Sequence, residues 1–201
     1  KRSILRESQY RYVMTDSPDL RGIDVALLYQ RDQFKLLSYQ SIRIPNASGK
    51  RRFSPTRDIL HVSGLLLTQD TLDVFITHFP SRSGGAKESE PYRLLAARRL
   101  RSAVDSISLH RRHPQILIMG DFNDYPDNKS IREVLSAQDP PHDKNLLQPH
   151  SLYHLLARKA ATQKQFGSYK YRGEWGLLDH IIVSGTLLHP SADFRTDEDK
   201  A

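Results

Sequence analysis

The chain has 201 residues, the size of one large domain. It contains no cysteine, which excludes disulfide scaffolds, thiolate catalysis and cysteine-type zinc sites. Its 30 Lys and Arg residues outnumber its 23 Asp and Glu residues, and the formal net charge of +7 favours polyanionic partners such as nucleic acid or phosphorylated molecules.

The basic residues are scattered along the sequence, so a solvated basic surface explains them about as well as a polyanion site does. The tightest basic groups do not alternate with aromatic residues, as a platform for single-stranded nucleic acid would. These groups are Lys50–Arg52, Arg98–Arg101 and Arg111–Arg112. No apolar run approaches the ~20 residues that a membrane span needs, and lipid is the less favoured partner.

The first part of the chain predicts four strands. Ile23–Tyr29 is an apolar run that follows turn-forming residues, and Phe34–Ile44 is a second strand region that Pro45 stops. A polar loop over residues 45–57 comes next. Asp58–Leu67 and Leu72–Thr77 then read as a hairpin turning at Gln69 and Asp70.

The second part opens with a helix over Pro91–Leu109, with Ser89 as its N-cap and Pro91 in its first turn. Gln115–Met119 is a continuous apolar run, typical of a strand buried on both faces. Two short helices and two strands are predicted to follow, over residues 130–137, 152–160, 166–171 and 177–183. A helix that crosses between two strands indicates an α/β or α+β class with a mixed sheet.

The first motif that carries chemistry is Gly120–Asp124, directly after the buried strand. Polar residues at the end of such a strand point into the crevice at the sheet edge, where ligands bind. Asp121 can bind a cation or move a proton, and the amide of Asn123 can donate to an oxyanion. An ordinary Gly-Asp-Asn turn is the alternative.

The second motif is Thr77–Gly85, in which His78 ends a strand and is followed by Arg82, hydroxyl residues and two glycines. An imidazole, a guanidinium fork and exposed backbone N–H groups together suit a phosphate. The alternative is a strand-capping His before a flexible loop.

The third motif is Leu178–Ser184, where Asp179 stands within a run of apolar residues. Burying a charged Asp is unfavourable unless it has a partner, so we expect Asp179 to pair with a basic group such as a catalytic His. Strand alternation points Asp179 and His180 to opposite faces, so they are not expected to pair. An exposed Asp at a strand start is the alternative.

In this order, the motifs resemble the endonuclease/exonuclease/phosphatase superfamily, which has the DNase I-like fold. The similarity extends over about residues 17 to 184 and rests on Arg21–Tyr29, Thr77–Pro80, Gly120–Asp124 and Leu178–Ile181. The extended loop after His78 looks like that of an uncharacterised bacterial branch. The resemblance implies a four-layer α/β sandwich with two packed mixed sheets and a site at their upper edge.

The resemblance also implies a phosphoester hydrolase that depends on a divalent metal, Mg²⁺ or Mn²⁺. Asp121 would bind the metal and assist proton transfer at the attacking water or the leaving oxygen. Asn123 would orient the phosphate or that water, and His78 would donate to a non-bridging oxygen. Asp179 would orient the general-base His. The substrate contacts would be Arg21, Arg82 and Asn123.

Two parts of the family pattern have no match here: early strands with an Asn and a metal-binding Glu, and a Ser-Asp-His segment near the C-terminus. We therefore expect one domain over residues 1–201 that is incomplete at both ends, binds Mg²⁺ weakly and by itself catalyses poorly. The alternative is a non-catalytic module that binds a phosphate ligand or nucleic acid. A signal peptide ahead of Lys1 would make the protein secreted or periplasmic, and no motif specifies the oligomeric state.

Overall fold

A computed structural model describes residues 9–45 and 55–196 of the chain. The strands are β1 (Tyr10–Met14), β2 (Ala26–Gln30), β3 (Phe34–Ile42), β4 (Ile59–Leu66), β5 (Thr71–His78), β6 (Gln115–Asp121), β7 (Leu152–His154), β8 (Tyr169–Tyr171), β9 (Glu174–Gly176) and β10 (Asp179–Ser184). The helices are α1 (Ala86–His110) and α2 (Ala157–Thr162), with short helical turns at Ser130–Val134, Lys144–Leu146 and Gly185–Leu188.

Six of these strands form one mixed sheet, in the order β3-β4-β5-β6-β10-β7. β5 and β6 are parallel and α1 crosses between them, while the remaining neighbours in this sheet are antiparallel. β1 pairs with β2, and β8 pairs with β9, in two small antiparallel sheets. The predicted mixed α/β fold is confirmed.

Apolar side chains cover both faces of the six-stranded sheet, because alternate residues of a strand point to opposite faces. α1 packs Leu100 and Val104 onto one face, against Phe75 of β5. The β1–β2 pair packs Val13 onto the other face, where Val74 of β5 belongs to the same apolar cluster. In the described residues the large sheet therefore lies between a helix and a second, smaller sheet.

Helix α1 begins at Ala86, earlier than predicted, so Pro91 lies inside it and Ser89 is not its N-cap. The Ser89 hydroxyl donates to the carbonyl of Gly85 (2.6 Å) and accepts from the Arg93 guanidinium (2.7 Å). Proline inside a helix removes one backbone hydrogen bond and disfavours the preceding turn. The buried side chain of Arg93, which also donates to the carbonyl of Ala86, ties that extra turn down.

The helix predicted over residues 152–160 is wrong in its first half, which forms β7. Residues 152–154 pair with β10 at the edge of the large sheet, with His154 opposite Ile182. Only α2, from Ala157, is helical. Pairing and burial override local helix preference here. Residues 46–54 lie outside the described residues. They include most of the polar loop predicted over residues 45–57 and the whole basic group Lys50–Arg52.

Within the part of the chain that the structure describes, no helix combines the length and the apolar character that a membrane crossing requires.

Candidate active site

Three residues from three separate motifs meet in one row across the large sheet. His78 at the end of β5 lies beside Asp121 at the end of β6, and Asp179 at the start of β10 lies opposite Asp121. Residues in register on neighbouring strands project from the same face. We call His78, Asp121 and Asp179 the register row, and it stands at the carboxyl edge of the two parallel strands.

The register row combines a neutral imidazole with two carboxylates. His78 Nε2 lies 3.6 Å from Asp121 Oδ2, too far for a direct hydrogen bond. Burial, and next the Arg57 cation, lower the pKa of His78. Burial is also the main influence on Asp121 and raises its pKa, and the nearby Asp179 adds to that effect. At neutral pH His78 is therefore an uncharged donor, and about a third of each of these two side chains is open to solvent (31% and 33%).

The turn after β6 is shaped by one glycine. Gly120 has a φ of +134°, and a Cβ at this position would lie 2.0 Å from the Thr77 carbonyl oxygen. Any other residue would therefore push β5 and β6 apart beside the register row. The close approach of the two strands is what brings His78 next to Asp121.

Asn123 is held in a fixed orientation by two hydrogen bonds. Its φ is +50°, a left-handed conformation that Asn tolerates better than most residues. Its backbone N–H donates to Asp121 Oδ1 (2.8 Å), and its side-chain Nδ2 donates to the Phe79 carbonyl (3.0 Å). Asp121 and Asn123, predicted to work together, are thus locked to each other and to the end of β5.

Arg57 belongs to this site and was missed by the sequence analysis. Its buried guanidinium donates to the Phe79 carbonyl (2.7 Å), the acceptor that Asn123 also uses, and to Asp19 (3.3 Å). A single Arg in a polar loop has no periodicity or motif to mark it. Only the position of its loop beside β5 gives it access to His78.

The two arginines predicted to bind substrate, Arg21 and Arg82, contact different parts of the chain. Arg21 forks onto Asp19 through Nε (3.1 Å) and Nη2 (2.9 Å), and this contact holds the pKa of Asp19 well below its usual range. Arg21 and Arg57 line a cleft of about 700 Å³. Arg82 instead places its guanidinium over the ring of Tyr125, at 4.9 Å. The structure brings Arg21 to Arg57 through their shared partner Asp19, and it brings Arg82 to the loop after Asn123.

Asp179 is exposed, as the first residue of β10 can be, so burial does not force a partner on it. Among the described residues no ion pair within 4.0 Å includes Asp179. The prediction that Asp179 pairs with a basic group is therefore wrong for ion pairs within 4.0 Å among the described residues. Its backbone N–H donates to the Ser168 hydroxyl (3.0 Å), and its carboxylate shares a sheet face with Asp121. That Asp179 orients a general-base His stays a prediction.

A buried pair of histidines, His154 and His180, supports the turn after β6 by hydrogen bonds. His180 points away from Asp179, as alternation predicts, and its Nε2 donates to the Asp124 carbonyl (2.8 Å). Its Nδ1 accepts from His154 Nε2 (2.5 Å), and His154 Nδ1 accepts the backbone N–H groups of Leu156 and Ala157. Burial lowers the pKa of both imidazoles, so both are neutral.

The last residue of the motif, Asp124, serves the structure rather than the cleft. Its carboxylate is 2.7 Å from Arg93 Nε and accepts from the Ser130 hydroxyl (2.6 Å), and all three residues are buried. Arg93 comes from α1, so this ion pair fixes the turn to the helix. Asp121 and Asn123, by contrast, are partly exposed.

The residues present fit part of a magnesium site. In the described chain no group of three His, Asp or Glu side chains converges as a complete ligand set. Magnesium is usually held by one or two carboxylates, with water and substrate phosphate as the other ligands. Asp121, with Asp179 in register beside it, supplies oxygen donors of that kind.

The comparisons with known proteins identify the family and the fold. The sequence model of the endonuclease/exonuclease/phosphatase family matches residues 1–199. No curated protein is a recognisable sequence relative. The match to the family model includes all three motifs of the register row.

Several solved structures share the fold. ANGEL2, a 2',3'-cyclic phosphatase, superposes with a TM-score of 0.63 at 15% identity, over 88% of this chain and 62% of that one. The human Nocturnin catalytic domain with bound sulfate gives 0.61 at 16% identity, over 88% and 61%. TDP2 from D. rerio, complexed with a single-strand DNA product, gives 0.54 at 14% identity, over 90% and 64%. This chain thus spans less than two thirds of the length of each, and identities this low establish the fold alone.

Proposed function

This chain belongs to the endonuclease/exonuclease/phosphatase family, and from that premise we propose that it hydrolyses a phosphate ester with the help of a divalent metal ion. The observation that carries the proposal is the register row. A neutral imidazole and two carboxylates, one of them with a raised pKa, meet at the edge of the sheet beside a cleft lined by arginines.

Asp121 is the residue that would hold the metal ion, with the Asp179 carboxylate in register beside it. When bound, Mg²⁺ or Mn²⁺ would offset negative charge on the phosphoryl oxygens. Burial, with a smaller effect of the nearby Asp179, raises the pKa of Asp121, and two carboxylates close together would be stabilised by a cation.

His78 acts as a hydrogen-bond donor to a non-bridging phosphate oxygen. Because its pKa is lowered, it is neutral at pH 7 and keeps one N–H for donation. It lies partly open to solvent at the end of β5, where a substrate can reach it. A donor aimed at charge that grows in the transition state lowers the barrier.

Asp121 also handles a proton, and Asn123 orients the reacting groups. A carboxyl group with a raised pKa exchanges a proton closer to neutral pH than an ordinary one, so Asp121 can assist proton transfer at the leaving oxygen. Asn123 donates one amide hydrogen to Phe79 and keeps its other amide hydrogen and its oxygen for a water or a phosphate. We assign to Asp179 the orientation of the general-base His.

Three arginines near the register row would supply the cations for an anionic substrate. Arg21 and Arg57 line the cleft together with the carboxylates Asp19 and Glu88, and Arg82, from the loop after β5, lies over the Tyr125 ring. Guanidinium groups recognise phosphate through paired hydrogen bonds. We therefore assign the phosphate of the ester to the space between these arginines and the register row.

The test is hydrolysis of an aryl phosphodiester in the presence of Mg²⁺ or Mn²⁺. The variants His78→Ala and Asn123→Ala each remove one donor, and we expect kcat to fall on the order of a hundredfold or more. His113→Ala is the matched control, since His113 is an exposed imidazole in the turn after α1, and its rate should stay unchanged. A decrease below about threefold for both site variants would contradict the assignment.

A further inference from the structure

The β8–β9 hairpin carries exposed aromatic rings beside the candidate active site. Its sequence alternates aromatic and basic residues, Tyr169-Lys170-Tyr171-Arg172, which none of the basic groups identified earlier does. Tyr169, Tyr171 and the following Trp175 are all exposed. Single exposed apolar residues are ordinary, but a contiguous patch of them marks an interaction site.

The two tyrosines form an ordered surface. Tyr169 and Tyr171 are two apart in β8 and so share one face of the hairpin. Their ring centroids are 6.1 Å apart and their planes differ by 13°. Arg172 lies over the Tyr171 ring at 5.2 Å, and on the other face Lys170 lies over Trp175 at 5.4 Å. On each face of the hairpin, a basic side chain thus lies over an exposed aromatic ring.

A third tyrosine joins this face from the turn of the active site. Gly176 is the register partner of Tyr169, and a Cβ on Gly176 would lie 2.9 Å from Cε1 of Tyr125. The Tyr125 ring therefore packs against the hairpin on the side of Tyr169 and Tyr171. We call Tyr125, Tyr169 and Tyr171 the aromatic face, and Arg82 lies over the Tyr125 ring.

The aromatic face is tied directly to the register row. Ser168, the residue before β8, accepts backbone hydrogen bonds from Leu178 (3.2 Å) and Asp179 (3.0 Å). Asp179 in turn lies opposite Asp121, and Tyr125 follows Asp121 by four residues. A chain lying along the aromatic face therefore leads to the carboxylates.

We propose that the aromatic face stacks the bases of single-stranded nucleic acid and delivers a backbone phosphate to the register row. Flat rings accept any base, and the guanidinium groups of Arg82 and Arg172 suit the phosphates between bases. Glu174 is the one carboxylate of the hairpin, so its two cations leave a positive balance. The proposal rests on the proposed function, because it names the substrate class of the same site.

Binding of a fluorescein-labelled oligodeoxynucleotide of about ten nucleotides, followed by anisotropy in EDTA, tests the proposal. The double variant Tyr169→Ala/Tyr171→Ala should weaken binding on the order of tenfold for each ring that stacks a base. Tyr171→Phe keeps the ring and should bind as the wild type does. The control is Tyr39→Ala on β3, because Tyr39 and Tyr171 are equally exposed, at 56%.

An abasic oligomer with the same number of phosphates separates stacking from charge. We expect the wild-type protein to bind it more weakly than the normal oligomer, and the double variant to bind both alike. Equal wild-type affinity for the two oligomers would overturn the proposal, since charge alone would then explain binding. A loss of binding to phosphatidylserine vesicles in the double variant, without a change for the oligomer, would overturn it in favour of a membrane surface.

The aryl phosphodiester keeps this proposal distinct from the proposed function, because a small ester offers no base to stack. Turnover of that ester at the wild-type rate by the double variant, with weakened oligomer binding, is the expected result. Ester turnover without base-dependent binding would overturn the aromatic face alone. Base-dependent binding without ester turnover would sustain the aromatic face and contradict hydrolysis.

Discussion

Asp121 and Asp124 belong to one short motif, and their surroundings give them opposite tasks. Asp121 is partly exposed, and its contacts leave one carboxylate oxygen facing His78 across 3.6 Å. Asp124 is buried, and its oxygens are taken up by Arg93 and Ser130. A buried ion pair adds little stability over an apolar pair, but removing one partner leaves a buried charge that is strongly unfavourable.

We expect Arg93→Met to lower the free energy of unfolding by about 3 to 5 kcal/mol, because Asp124 then lacks its counter-ion in the interior. Urea denaturation measures this change. The control is Arg132→Met, whose ion pair with Asp139 is about half exposed on both sides, and this change should alter stability by about 0.5 kcal/mol or less.

The pair variant Arg93→Met/Asp124→Leu separates the buried charge from lost packing. It should recover part of the stability that Arg93→Met loses, because no unpaired charge remains. A single-variant loss below about 1 kcal/mol would show that the pair does not hold the turn to the helix.

At the scale of elements, His154 of β7 and His180 of β10 join two strands to the turn that carries Asp121. Their hydrogen bonds require both rings to be neutral, because His180 Nδ1 accepts from His154 and His154 Nδ1 accepts two backbone N–H groups. Burial keeps the pKa of each ring below the usual 6.5. Protonation of either ring breaks this chain.

The stability of the protein should therefore fall as the pH drops below about 6.5. Below that value the unfolded chain takes up protons on these imidazoles and the native state does not, so acid favours unfolding. Above it the contribution is fully present. Each ring adds a slope of up to about 1.4 kcal/mol per pH unit, measured by urea denaturation between about pH 8 and pH 5.

His154→Gln should flatten this pH dependence, because one of the two imidazoles is gone. His113→Gln, at an exposed imidazole, should leave the slope unchanged. A slope that is the same in His154→Gln and in the wild type would assign the acid sensitivity to other groups.

The strands were the most predictable elements, and the element boundaries the least. The run Gln115–Met119 and the hairpin around Gln69 were read correctly, since apolar patterning and turn residues act locally. The start of α1 and the strand β7 were not, because the first depends on the contacts of a buried side chain and the second on a partner strand far away in sequence. Arg93 ties down the first turn of α1, and β10 pairs with β7.

At the scale of the whole molecule, the site assembles from segments that the chain keeps far apart. His78, Asp121 and Asp179 were identified because each ends or starts a strand in a motif. Arg57 was not, because it reaches the site from a loop. The alternation over Tyr169–Arg172 was visible in the sequence, and the fold shows that it lies beside Asp179.

The central claim is that the register row hydrolyses a phosphate ester, and the rate of aryl phosphodiester hydrolysis against Mg²⁺ concentration tests it most directly. Our account predicts that the wild-type chain turns the ester over slowly, at a rate that rises with Mg²⁺ concentration. It also predicts a decrease on the order of a hundredfold or more in Asp121→Asn, with an unchanged circular dichroism spectrum. Turnover that does not depend on Mg²⁺ concentration would contradict this account, and so would equal rates for Asp121→Asn and the wild type.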